Sequence, residues 1–155
     1  MKRQAVVTLL ILFIILFLGS STTQAKELVI DVTRCVAGTC DRLSTADDFR
    51  TMTCEARGIG WSNNDYKPLE TFTVFDRTLL GIKEDKKYDF NSFVKWLDSE
   101  GDHIVFLNKK VYGATGKWKG VTGEVQWKRL RNAKSLPTGN FANCGIITGT
   151  LELPE

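Results

Sequence analysis

His103 is the single histidine of the chain, and it follows directly on three acids, Asp98, Glu100 and Asp102. A histidine beside carboxylates has the makings of a general base, because its ordinary pKa lies near neutrality and a hydrogen-bonded carboxylate fixes its tautomer. Acid–base chemistry would need a second group, and Glu124 is the candidate further along. No Gly-x-Ser-x-Gly, His-Glu-x-x-His, phosphate-binding or dinucleotide fingerprint accompanies them. The plainer expectation is an exposed histidine on a hairpin shoulder, so no catalytic residue is assigned. Asp98, Glu100 and Asp102 also echo part of a calcium loop. Here, however, Gly101 precedes the third acid and no closing glutamate follows. A solvated turn is the expectation, and neither a metal nor a cofactor is assigned.

The tryptophans offer a different chemistry. Trp61, Trp96, Trp118 and Trp127 can fill a core, or they can line a pocket for an apolar or aromatic molecule. Trp96, Trp118 and Trp127, with His103 and Glu124, form the candidate ligand-binding set. Between Lys109 and Lys134 stand eight basic residues and one acid, Glu124. Basic residues interleaved with tryptophan suit a polyanion. Strand alternation explains the pattern as well, with tryptophans inward and lysines in water. An anionic glycan or lipid headgroup is the functional version of this reading; nucleic acid is not an expected partner of an exported chain.

Export is the expectation from the N-terminus. Lys2 and Arg3 precede an apolar run from Ala5 to Leu18, then small polar residues ending in Thr23-Gln24-Ala25. This three-part pattern places a cleaved signal peptide at 1–25 and a single domain at 26–155. The run is shorter than the roughly 20 apolar residues of a membrane-spanning helix, so no stable membrane anchor is expected. Loss of Lys2 and Arg3 with the leader lowers the formal net charge from +3 to +1. A nearly neutral domain is not steered globally toward anionic partners. Cys35, Cys40, Cys54 and Cys144 all fall in the mature part, and an even count in a secreted or periplasmic protein points to two disulfides. Of three connectivities, Cys35–Cys40 as a local clip with Cys54–Cys144 as the long-range bond is preferred.

The elements that must position these groups read as strands. Leu28 to Thr33, Phe49 to Gly58, Thr71 to Leu80 and Gly145 to Leu153 alternate or carry β-rich composition. Ser44-Thr45-Ala46-Asp47 has the residues of a helix start. Trp61 to Asp65 and Asn132 to Asn140 read as turn and loop. Tyr88 to Asp102 fits either an amphipathic helix or a strand entering a turn at Gly101, and composition favours a hairpin with His103 to Leu107. Gly113, Gly116, Gly120 and Gly123 punctuate a stretch in which Trp118, Val121, Val125 and Trp127 keep strand rhythm. Glycines inside strands permit strong coiling, which predicts an all-β fold: a small antiparallel β-barrel of about eight strands.

The stretch Gly113-Ala114-Thr115-Gly116-Lys117-Trp118-Lys119-Gly120-Val121-Thr122-Gly123 resembles the glycine pattern of the dirigent and allene oxide cyclase-like β-barrels. It is also similar to small bacterial exported proteins in which an acidic turn precedes it, here Asp98-Ser99-Glu100-Gly101-Asp102. The resemblance implies an eight-stranded barrel that holds a small apolar ligand and assembles as a homo-oligomer. No catalytic residue of those enzymes maps onto this chain. The expected function is therefore non-catalytic binding of a small apolar molecule by an exported barrel. The alternatives are a cofactor-free isomerase or cyclase using His103 and Glu124, and an envelope or surface protein that binds anionic partners through the basic segment.

Overall fold

The computed structural model describes residues 25–46, 49–64, 66–83, 86–132 and 139–154. Residues 1–24 of the expected leader lie outside these residues, as does Asp47. Eight strands follow one another: β1 (Lys26–Ala46), β2 (Phe49–Ser62), β3 (Thr71–Lys83), β4 (Lys86–Asp98), β5 (His103–Leu107), β6 (Lys110–Ala114), β7 (Thr122–Asn132) and β8 (Asn140–Leu153). Each pairs antiparallel with the next, and β8 returns to β1, closing an up-and-down barrel. Closure satisfies the backbone polar groups that an open sheet would leave at its edges.

The longest strand is β1, at 21 residues. Its inward positions run Leu28, Ile30, Val32, Arg34 and Val36, all buried, while Val29 between them is exposed. The expected first strand stopped at Thr33 because Arg34 breaks the apolar alternation. Arg34 nonetheless points inward, and the strand continues to Ala46. The helix start expected at Ser44 is therefore strand as far as the structure describes it. Tyr88 to Asp102 resolves as the hairpin, with β4 and β5 joined by a turn in which Gly101 has φ +93°.

The expected cysteine pairing is wrong. Cys35 bonds Cys144 and Cys40 bonds Cys54. Cys35 and Cys40 lie five residues apart on one extended strand, roughly 16 Å along it and on opposite faces. A disulfide spans no more than about 7 Å between Cα atoms, so this pair cannot meet. Each actual partner stands directly across from its cysteine, on β8 and β2, with Cα atoms 4.1 Å apart.

The barrel is packed at one end and hollow at the other. The packed end holds Leu28, Ile30, Val32, Phe72, Val74, Trp96, Ile104 and Leu151, with Leu69 from a short 3-10 turn (Lys67–Leu69). The wall is low on one side. β5 and β6 have five residues each, joined through Asn108 and Lys109, both at positive φ as a tight two-residue hairpin requires. β5 pairs only Phe93 to Leu97 of β4. Just above, Asn108 caps the uncovered edge: its N–H donates to the Ser92 carbonyl and its Oδ1 accepts from the Ser92 N–H, both at 2.9 Å.

Candidate functional site

Between β6 and β7 the middle of the glycine-rich stretch builds a plug instead of a strand. Gly116–Trp118 forms a second 3-10 turn, and Trp118 and Val121, expected in strand rhythm, are buried under the packed end. The acidic turn receives it. Asp98, 6 % exposed, accepts the Trp118 indole N–H at 2.8 Å and the backbone N–H groups of Glu100 and Asp102 at 2.9 and 3.0 Å. The Lys117 ammonium lies 3.1 Å from both Asp98 and Glu100, and the Lys117 backbone N–H donates to Asp102 at 3.0 Å. Gly116 has φ +54°, and a Cβ there would strike the Asp102 carboxylate. Burial pushes the Asp98 carboxyl up, but the bonds from Trp118, Lys117 and Glu100 outweigh it and hold the pKa below the usual range. Burial likewise opposes the charge on Lys117, and its bonds to Asp98 and Glu100 more than offset this, raising its pKa. The acidic turn is thus a socket for the glycine-rich stretch, with its acids turned toward N–H donors.

Above the packed end lies a cavity of about 610 Å³. Its floor is Trp96, packed on Phe72 and Phe106 with ring centroids 4.8 and 4.6 Å away. Met52, Leu80, Val94, Val125, Phe141 and Ile147 supply apolar wall, and the Cys40–Cys54 disulfide lines the mouth. Through this wall runs a polar stripe. Arg34 Nη1 donates to Asp76 Oδ2 at 3.1 Å, with both side chains largely buried. Asp76 Oδ1 accepts from Thr78 at 3.1 Å and more distantly from Ser92 at 3.5 Å. Two guanidinium groups lie close to the Trp127 ring, Arg34 at 5.3 Å and Arg129 at 5.0 Å from its centroid. Gly145 makes room for it: a Cβ there would lie 2.1 Å from Trp127 Nε1.

Among the described residues, four buried side-chain polar atoms have no hydrogen-bond partner: Arg34 Nε, Trp96 Nε1, Trp127 Nε1 and Asn143 Oδ1. All four residues line the cavity. A buried donor or acceptor without a partner costs about 1–3 kcal/mol, and such groups are few in native proteins. All of them gather around one hollow.

The sequence-derived candidates separate. Trp96 and Trp127 line the cavity, whereas Trp118 belongs to the plug. His103 and Glu124 neighbour the inward-facing Ile104 and Val125 and so sit on the outer face. His103 Nδ1 is 3.0 Å from the Thr115 hydroxyl, and Glu124 is exposed and paired across strands with Lys110 and Thr150. The interior acid–base pair imagined for an isomerase is not assembled by these two residues. The basic residues scatter as well: Lys117 lies in the plug and Lys119 ends it, Lys109 and Arg129 line the cavity, and Lys110 and Lys128 are on exposed positions of the wall. Lys134 lies outside the described residues. Sequence reasoning missed Arg34, Asp76, Thr78, Ser92 and Asn143. Their signal was a polar residue at an inward position of a strand, such as Arg34 between Val32 and Val36. No protein-family model, curated protein or solved structure matches this chain.

Proposed function

We propose that this protein is an exported barrel that binds a small, mainly apolar molecule in its interior without transforming it. The observation that carries the reading is the cavity of about 610 Å³, whose apolar walls hold a few convergent polar groups without partners. This combination of size and lining is that of a small-molecule site, typically about 300–1,000 Å³. Export to an extracellular or periplasmic space is supported by the leader-like N-terminus and by two disulfides, which persist in oxidising compartments. Among the described residues no helix is long and apolar enough to cross a membrane.

The test is titration with N-phenylnaphthylamine, an apolar dye that brightens out of water, together with tryptophan emission, to which Trp96 and Trp127 contribute. The folded protein enhances the dye, and Val94→Trp, which fills the hollow from its wall, weakens binding by about tenfold or more. Dye and tryptophan signals that stay flat across lipids and aromatic compounds would defeat the proposal.

A further inference from the structure

We infer that the molecule held in the barrel carries a carboxylate and that Arg34 receives it; the inference rests on the binding function proposed above. Arg34 is 7 % exposed and projects from β1 one inward step above Val32, just over the packed floor. Asp76 takes only its Nη1. The opposite edge of the guanidinium, Nε with Nη2, is the edge that pairs side-on with the two oxygens of a carboxylate, and Nε has no partner. The Trp127 ring lies 5.3 Å from the same guanidinium, with its indole Nε1 turned to Gly145. The unpaired edge of Arg34 thus calls for an acceptor low in the cavity.

Charge argues for an anion over a neutral carbonyl. Among the described lining residues three are cationic, Arg34, Lys109 and Arg129, and one is anionic, Asp76. Asp76 is matched to Arg34, and the Lys109 ammonium bonds Gln126 at 3.3 Å, so Arg129 leaves the lining positive and favours approach of a negative group. The walls dictate the rest of the molecule. Met52, Leu80 and Phe141 rise toward the mouth above the polar stripe, so an apolar body extends upward from a carboxylate seated low. The ligand class is an amphipathic monocarboxylate, aliphatic or aromatic.

Three compounds with one chain separate the possibilities: laurate, dodecanol and methyl laurate, each competing against N-phenylnaphthylamine. Laurate is expected to bind about tenfold to a hundredfold more tightly than the other two, the difference that a charge-assisted hydrogen bond supplies. In the Arg34→Met/Asp76→Leu variant, which removes the ion pair as a unit, that preference disappears while dodecanol still binds. On the wild-type protein, the Arg34 Nε–H resonance shifts on titration with laurate and not with dodecanol. Equal affinities for the three compounds, a preference that survives the double variant, or an Nε–H signal indifferent to laurate would each overturn the inference while leaving a binding barrel in place. Failure of every compound and of the dye would instead remove the underlying binding function.

Discussion

Replacing Asp98 by alanine tests whether the acidic turn is a structural socket. Trp118, 2 % exposed, would keep its indole N–H buried with no acceptor, at a cost of about 1–3 kcal/mol. Lys117 retains Glu100, and the Glu100 and Asp102 N–H groups lie in a turn that water reaches, so their losses are smaller. The expected total is about 3 kcal/mol, a large share of the roughly 5–15 kcal/mol that stabilises a domain. With a urea slope of about 2 kcal/mol/M, the unfolding midpoint falls by about 1.5 M. Trp118→Phe removes the donor and should cost less, about 1–2 kcal/mol. The double variant should fall short of the summed losses by at least about 1 kcal/mol. The pH dependence has a definite sign. The Asp98 carboxyl is held below its ordinary value in the folded state, so its contribution is complete above the unfolded pKa of about 3.9 and fades as pH falls through the lower folded value. The stability gap between wild type and Asp98→Asn therefore narrows below about pH 4. An Asp98→Ala midpoint indistinguishable from wild type, or an unchanged acid profile in Asp98→Asn, would refute the socket.

Three further outcomes follow from the same geometry. Removing Cys35–Cys144, which spans 109 residues, should cost about 4–5 kcal/mol against about 3 for Cys40–Cys54, which spans 14, on chain-entropy grounds; urea unfolding of the two double-serine variants checks the order. Gly116→Ala forces an alanine to positive φ and its methyl into Asp102, so thermal unfolding should show a loss of about 1–3 kcal/mol. Arg34→Ala leaves Asp76 without its cation and should cost about 3–5 kcal/mol by denaturant titration, whereas Arg34→Met/Asp76→Leu should lie within about 1 kcal/mol of wild type.

The barrel was legible because alternation survives in most strands and because turn chemistry marks Gly101. The site was less so, for a reason visible in β1. A strand that lines a hollow can carry polar residues at inward positions, and Arg34 therefore reads as the end of a strand although it faces the cavity. Asp76 in β3 is the same case. The disulfides were misassigned because sequence proximity ignores the two faces of a strand: Cys35 points out and Cys40 points in. The glycine-rich stretch misled in the opposite direction. Its residues were conspicuous enough to suggest coiling of a sheet, yet Gly116, Gly120 and Gly123 adopt positive φ in and beside a turn that carries Trp118 into the closed end.

The two sulfur bridges both involve β1, one to each neighbour, so the seam where the first and last strands meet is latched covalently. The seam opposite in the chain is thin: β6 and β7 share the single register pair Lys110–Glu124, helped by the Val125 N–H on the Lys109 carbonyl at 2.9 Å. Breathing of the molecule accordingly has a preferred hinge line. Thermal opening is expected to part β6 from β7 first, beside Lys109, while the sulfur-tied staves stay together.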